Sequence, residues 1–287
     1  MTEKHYICHP KRFVIFDEEL GIDIEETFTL PFLPEKDFEG SATHGLILKK
    51  NPQGEIMRAF YEAEGKLHGQ YRLYYPNGKP ESECFYHEGK LHGPSRFYSE
   101  EGICLSETWF YKSKKQGQAK RFDFSGKISS VEGFKEGNLH GRQEYYYPSG
   151  DLKTQMQYEN GKLHGLVRLF WQNGLKKREC FFGQGSRDGE DRVWSEKGVL
   201  VDEGNFKGGD PVGVHRHWYE DGVLQEEKTY HTPTRFDRKE WNKEGKLVVD
   251  GHFDENFFYK ESTWHGQEYK VKTGSWDGNR IKWHEGS

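Results

Sequence analysis

The chain has 287 residues, with 42 lysines and arginines against 47 aspartates and glutamates, and a formal net charge of −5. Nucleic-acid-binding proteins usually carry an excess of positive charge, so this balance argues against a nucleic-acid partner. Mean hydropathy is −1.01, yet aromatic residues make up 15% of the chain, which excludes ordinary disorder and favours thin sheets covered by flat rings.

Residues 1–40 are distinct from the rest of the chain. Residues 13–16 and 27–30 read as strands, and Pro31 and Pro34 end the second. Charges run through the first 16 residues without an apolar core, and no apolar run approaches the roughly 18 residues that span a bilayer. The four cysteines form no C-x-x-C pair, which fits reduced thiols. We expect a cytoplasmic protein whose first 40 residues cap the sheet with a degenerate repeat.

From residue 41 to residue 256, glycine recurs every 24 residues in two full series and a third, looser one. A fixed period of this size is the mark of a repeat array. The period predicts about nine like units. The first series is Gly45, Gly69, Gly93, Gly117, Gly141, Gly165, Gly189 and Gly213, and the second runs from Gly54 to Gly222, with Gly245 one residue early.

Each unit carries two turn signals, as in residues 65–88. Pro76-Asn77-Gly78 fits a type I turn followed by a left-handed glycine, which makes a three-residue hairpin loop with a bulge. Glu88-Gly89, after His87, is the second turn. The segments between turns have roughly six to nine residues, which is strand length. The sequence therefore predicts an all-β fold, an elongated single-layer antiparallel sheet of tandem 24-residue hairpins.

Two aromatic columns follow the period, one through Tyr74 and Tyr98 and one through Tyr86 and Phe110. They are expected to share one face and to form the core of the sheet. A column of arginines also coincides with a column of glutamates, which indicates cross-strand ion pairs. Direct opposition of these charges needs a two-residue loop, whereas the proline favours a three-residue loop. We expect the second register, with the charges as diagonal neighbours.

The unit G-K-L-H-G-x-x-R-x-Y-Y-x-N-G-K resembles the MORN repeat in its bacterial variant form, best at residues 65–93 and 137–165. The resemblance covers roughly residues 41–256 and weakens at Ser113, Asp188, Pro211 and Pro233. It implies an elongated hairpin sheet that serves as a binding or dimerisation module, sometimes at anionic membranes. Some relatives are fused to enzymes, and the bacterial variant family includes antitoxins and immunity proteins.

Histidines recur in the first glycine series at His44, His68, His92, His140 and His164. Neighbouring units lie roughly 10 Å apart, whereas zinc needs its donors at about 2 Å, so this column cannot share an ion. We expect rings bonded to the backbone of a nearby turn. His215 and His217 share a face but have no third donor in sequence. No catalytic motif is found, so we expect no enzyme, no cofactor and no metal.

Residues 257–287 are expected to be capping strands, because open sheet edges invite aggregation. The alternative is a binding hot spot, since tryptophan and arginine dominate binding energy. The predicted function is a non-enzymatic scaffold that binds a protein partner, and the alternatives are an immunity protein or antitoxin with a toxin as partner, or attachment to anionic membrane lipid. The candidate partner-binding residues are Arg72, Arg96, Arg168, Arg192, Arg216, Trp264, Trp276, Arg280 and Trp283.

Overall fold

The computed structural model describes residues 3–33, 45–265 and 268–284. The described residues form 26 β-strands and no helix, so the predicted all-β fold of antiparallel hairpin repeats is confirmed. None of these residues belongs to a helix long and apolar enough to cross a membrane. The start of the predicted leading unit, near Ser41, and His44 lie outside the described residues.

The chain forms two compact units. Unit 1 runs to residue 152 and includes residues 157–162, and unit 2 includes residues 153–156 and the chain from residue 163 onward. This division falls inside the repeats, where the sequence gives no sign of a boundary. The predicted boundaries after residues 40 and 256 stay predictions.

Three strands at the N-terminus form a sheet of their own within unit 1. They pair antiparallel in the order β1-β2-β3. We call residues 3–33 the N-terminal layer. Its strands are β1 (Lys4–His9), β2 (Arg12–Asp17) and β3 (Ile22–Thr27).

The repeat sheet of unit 1 consists of antiparallel strands paired in chain order. Its strands are β4 (Leu46–Lys50), β5 (Ile56–Ala63), β6 (Lys66–Tyr74), β7 (Pro80–His87), β8 (Lys90–Leu91), β9 (Gly93–Tyr98), β10 (Cys104–Tyr111), β11 (Lys114–Phe122), β12 (Ile128–Lys135) and β13 (Asn138–Tyr146). The next two, at the sequence boundary of the units, are β14 (Leu152–Glu159) and β15 (Lys162–Leu163).

Unit 2 repeats the same pattern of antiparallel neighbours. Its strands are β16 (Gly165–Phe170), β17 (Lys176–Gly183), β18 (Ser186–Trp194), β19 (Leu200–Lys207), β20 (Asp210–Trp218), β21 (Leu224–Thr232), β22 (Arg235–Trp241), β23 (Leu247–Phe253), β24 (Phe258–His265), β25 (Glu268–Trp276) and β26 (Ile281–Trp283).

The two turns of each unit differ in geometry. At the first turn, the Gly78 amide donates to the Tyr75 carbonyl at 2.9 Å, as a type I turn requires, and Gly78 has φ +80°. At the second turn, Glu88 and Gly89 both have positive φ, 51° and 80°. They connect His87 to Lys90, and these two residues pair directly across the strands. That is a type I′ turn, the two-residue loop that matches strand twist. At the first turn, the predicted three-residue loop is confirmed.

A bulge resolves the conflict between the two registers. Arg72 lies directly opposite Glu83, and Tyr74 lies directly opposite Pro80. Both are possible because the register shifts between them and Glu81 is bulged out of the ladder. The prediction that the charges are diagonal neighbours is wrong, because one extra residue on β7 restores direct opposition.

The same bulge places the two aromatic columns on opposite faces, so the prediction of a shared face is also wrong. In the first column, the Tyr98 hydroxyl donates to the Glu83 carboxylate at 3.0 Å. In the second, the ring of Tyr86 packs on Tyr71, with centroids 6.0 Å apart. Tyr71 precedes Arg72, and adjacent strand residues point to opposite faces.

The N-terminal layer gives unit 1 a core that a lone sheet lacks. Phe13 and Ile15 are fully buried. They cluster with Leu20 and Ile22 of the same layer and with Trp109 of the repeat sheet. Burying side chains of this size stabilises a fold by about 1.5–3 kcal/mol each. Unit 1 is therefore two layers deep where residues 3–33 lie on it.

Candidate binding face

Arginine and glutamate pairs mark one face of the repeat sheet in both units, and we call it the ladder face. In unit 1, Arg72 Nε lies 3.1 Å from Glu83, while Arg96 bridges Glu83 at 2.9 Å and Glu107 at 2.6 Å. The pairs in unit 2 are Arg168–Glu179 at 2.8 Å, Arg192–Glu203 at 3.9 Å, Arg216–Glu203 at 3.3 Å and Arg216–Glu227 at 2.9 Å. The predicted arginine column thus exists, and each member has a carboxylate partner.

The ladder keeps its charges ionised. Burial alone would raise the pKa of the Glu83 carboxyl, but hydrogen bonds from Arg96 and Tyr98 and the charge of Arg72 lower it below its usual value. In unit 2, the hydrogen bond from Arg168 is the main reason that the pKa of Glu179 is lowered. Because each positive charge is offset by a negative one, the face carries little net charge.

The glycines of the first series line up along the ladder face, and we call them the glycine track. In unit 1 they are Gly69, Gly93, Gly117 and Gly141. The N-terminal layer lies so close to them that a Cβ added at Gly117 would meet a Tyr6 ring carbon at 2.4 Å, and one at Gly141 would meet a Leu20 methyl carbon at 2.4 Å. The other two contacts are Pro31 at Gly69 and Cys8 at Gly93. Glycine is required here because no side chain fits beneath the second layer.

Aromatic side chains beside the track anchor the N-terminal layer. Phe85 is 4% exposed beneath Phe32, with ring centroids 5.0 Å apart. One repeat later, Trp109 is 5% exposed beneath Tyr6, in an edge-to-face contact at 5.2 Å. Aromatic pairs of this geometry contribute about 0.5–1.5 kcal/mol beyond the area that they bury.

The equivalent face of unit 2 is open. Phe181 stands at the repeat position of Phe85 and Trp109, but it is 41% exposed. A Cβ added at Gly213 would meet nothing within 4 Å, and one at Gly189 would meet only Phe181 itself. A shallow polar cavity of about 360 Å³, lined by Arg192, Glu203, Asn205 and Arg216 among others, continues this face. Unit 2 therefore has the same ladder and track, and no segment among the described residues covers them as the N-terminal layer does in unit 1.

The C-terminal candidates lie elsewhere in unit 2. Trp276 and Trp283 line a cavity of about 300 Å³ with Phe253, Tyr259 and Glu226. Glu226 precedes the ladder residue Glu227, so this cavity is on the opposite face.

Two of the candidate partner-binding residues, Trp264 and Arg280, do not line that cavity. Trp264 packs on Tyr269, with centroids 5.2 Å apart. Arg280 has a side chain that is 78% exposed and lies 3.8 Å from Asp277. The structure thus brings Trp276 and Trp283 together but not the four as a set, and their role in binding stays a prediction.

The histidine column is bonded to the turns, as predicted, at two positions. His68 Nδ1 accepts from the Glu88 amide and His140 Nδ1 from the Asn160 amide, each at 3.4 Å. His215 Nε2 lies 2.8 Å from the Asn205 carbonyl, and His217 lies 3.4 Å from Asp202. His92 is different, because it is fully buried under the N-terminal layer.

Sequence reasoning missed the two features that define this face, which are the N-terminal layer over the track and the exposure of Phe181. A signal for Phe181 exists, since Phe85, Trp109 and Phe181 occupy one repeat position. No local pattern shows that residues 3–33 cover the first two and leave the third exposed.

The fold and the face together define a protein of tandem β-hairpin repeats that presents a periodic surface. The model of the family described as "MORN repeat variant" matches residues 67–88, 139–160 and 211–231, three stretches that start 72 residues apart. These three stretches are therefore MORN-type repeats, and MORN repeats are generally protein-binding or membrane-binding modules.

No curated protein sequence matches the chain. Among solved structures, a chain of the Photorhabdus luminescens Tc holotoxin pore with the TccC3-D651A mutation is similar at 11% identity and a TM-score of 0.19. The similarity covers 81% of this chain and 14% of that chain. A likeness at this level supports no inference about function.

Proposed function

We propose that the protein is a non-enzymatic interaction scaffold, and that the ladder face of unit 2 binds a β-structured segment of a protein partner. The observation that supports this is internal. In unit 1 the same ladder, glycine track and aromatic position are covered by three strands of the chain itself. The layer on unit 1 therefore supports the proposal that a similar segment binds to this face of unit 2.

The contacts in unit 1 define the chemistry of the partner. Apolar and aromatic side chains lie over the track, as Tyr6 and Leu20 do, and a polar rim pairs with the edges, as Glu19 does with Arg142 at 3.1 Å. The exposed ring of Phe181 is the apolar anchor of the free face. Because 41% of the Phe181 side chain remains exposed, burying that fraction contributes about 0.6–1.2 kcal/mol, or roughly 3- to 8-fold in affinity.

A protein partner is better supported than an anionic membrane. Membrane attachment by charge needs unpaired lysines or arginines, each contributing about 1 kcal/mol near an anionic surface. The arginines of the free ladder face, Arg168, Arg192 and Arg216, each lie within 4 Å of a glutamate. Their charge is already offset, so apolar contact and shape must supply the binding energy.

To test this proposal, a partner is captured from native lysate and purified. Its affinity for the whole chain is then measured by calorimetry. Phe181→Ala should weaken binding at least 3-fold, and Asn205→Arg, which adds bulk and charge at the same repeat position, should abolish it. Phe97→Ala is the matched control, since Phe97 is 53% exposed in unit 1 but follows Arg96 and so lies on the opposite face. The control should bind within 2-fold of the wild type.

Wild-type affinity in both Phe181→Ala and Asn205→Arg, with unchanged circular dichroism, would place the partner on another surface. The identity of the partner decides the finer function. A toxin whose activity is blocked by the chain would establish the immunity alternative, and several structural or signalling proteins would establish the scaffold. Salt-sensitive binding to anionic vesicles, in the absence of protein, would instead favour the membrane alternative.

A further inference from the structure

Three potential metal-ligating side chains converge between the N-terminal layer and the second hairpin of the repeat sheet. Glu26 comes from β3, His87 ends β7, and His92 follows β8. One donor atom from each lies within 4.8 Å of the other two. His92 Nε2 is 3.5 Å from the Glu26 carboxylate. Two donors on one tetrahedral zinc ion lie about 3.3 Å apart, given zinc–ligand distances of about 2.0–2.2 Å, so this pair already has the required spacing.

His92 is the unusual member of the group. Its side chain is fully buried, and neither ring nitrogen has a hydrogen-bond partner among the described residues. Imidazole nitrogen is a common metal ligand, and an unpaired buried nitrogen is costly.

The surroundings of the group suit a ligand site. The rings of Phe13 and Phe28 pack on His92, with centroids 4.1 and 5.3 Å away, and exclude water from one side. The other oxygen of Glu26 accepts a hydrogen bond from the Tyr111 hydroxyl and lies 3.5 Å from Lys112 Nζ. Such outer contacts orient a carboxylate ligand. The Lys112 charge opposes a cation, but it faces the oxygen turned away from the histidines.

We propose that Glu26, His87 and His92 form a binding site for a late first-row divalent metal ion, with zinc as the reference ion. Two imidazoles and one carboxylate are a common zinc set, and they leave a fourth position for water or another ligand. The ion would join β3 to the turn after β7. It would therefore clip the N-terminal layer to the ladder face of unit 1, independently of any partner bound to unit 2.

The experiment uses the untagged full chain, titrated with ZnCl₂ by calorimetry and with Co²⁺ by visible absorption. The wild type should bind one ion that is lost in His92→Gln and in His87→Phe, with affinity at least 100-fold lower in each. Both replacements imitate the next repeat, where Gln116 and the ring of Tyr111 stand at the same positions. His140→Gln is the matched control, since His140 occupies the position of His92 two repeats later, and it should bind as the wild type does.

A second readout does not depend on affinity alone. Zinc should slow hydrogen exchange in residues 22–27 of the wild type and of His140→Gln, and it should have no effect in Glu26→Gln. The proposal fails if the wild type binds no stoichiometric ion at micromolar concentration. It also fails if His92→Gln and His87→Phe, both folded by circular dichroism, bind zinc as tightly as the wild type, because the ion would then be held by other histidines of the chain.

Discussion

The N-terminal layer lies close to the glycine track of unit 1. We therefore expect a glycine-to-alanine substitution in the track to destabilise unit 1 more than the equivalent substitution destabilises unit 2. In Gly117→Ala, the new Cβ would lie 2.4 Å from a ring carbon of Tyr6, where ordinary contact begins at about 3.4 Å. The tyrosine would have to move by about 1 Å. Its hydroxyl donates to Asp17 at 2.7 Å and its ring meets Trp109 at 5.2 Å, so the shift disturbs both contacts.

Two terms contribute to the cost, and a control separates them. Gly117 and Gly213 both have positive φ, +86° and +68°, so alanine at either position carries about 1–2 kcal/mol of backbone strain. Only Gly117 lies beneath another segment, and overpacking of that kind adds about 1–3 kcal/mol. We expect Gly117→Ala to destabilise unit 1 by about 2–5 kcal/mol and Gly213→Ala to destabilise unit 2 by about 1–2 kcal/mol.

The measurement is urea unfolding of both variants, followed by hydrogen exchange resolved along the chain. Gly117→Ala should accelerate exchange in residues 4–27, because the layer loosens before the hairpins open. Gly213→Ala should leave that segment unchanged. Equal losses of stability, or unchanged exchange in residues 4–27 of Gly117→Ala, would show that the layer does not rest on the track, and the argument for the free face of unit 2 would lose its basis.

Three further outcomes follow from individual residues. The pKa of Glu83 is lower in the folded chain than in the unfolded one, so its pairing is fully stabilising above about pH 5 and is lost as the pH falls through the folded-state value. Glu83→Gln should therefore flatten the stability curve below about pH 5, as read by urea midpoints. Glu88 has φ 51° where Asn160 has φ 49° in a later repeat, so Glu88→Asn should raise the free energy of unfolding and Asn160→Glu should lower it, each by about 0.5–1 kcal/mol in calorimetry. Asp191 is 4% exposed and receives hydrogen bonds from Arg178 at 2.8 Å, so Asp191→Ala should cost unit 2 about 1–3 kcal/mol by denaturant unfolding, and a neutral result would mean that water replaces the carboxylate.

The parts of the fold that the sequence predicted are those set by neighbouring residues. Turn chemistry placed Pro76 and Gly78 in the loop where they are found, because a fixed φ and a left-handed glycine leave few choices. The register failed for a physical reason. A bulge at Glu81 changes which side chains face each other, and it depends on the fit of a whole hairpin rather than on any one residue.

The sites were less accessible to sequence reasoning because they depend on residues far apart in the chain. Glu26 and His92 are brought together by the docking of a separate sheet, and neither has a recognisable motif around it. The regular histidine column also drew attention to contacts along the array, where spacing forbids a shared ion. The cluster instead uses His87, which lies outside that column and across a turn from His92.

The ladder gives both units the same surface chemistry, so the difference between them must come from the residues beside the glycine track. In unit 1 that position holds Phe85 and Trp109, which are buried beneath the layer, and then Gly133. In unit 2 it passes from Phe181 through Asn205 to Thr229. Apolar character therefore declines along unit 2, and a partner would gain most by docking over Phe181. The paired charges contribute little net attraction, so under the proposed function the ring and the open track would supply most of the binding energy.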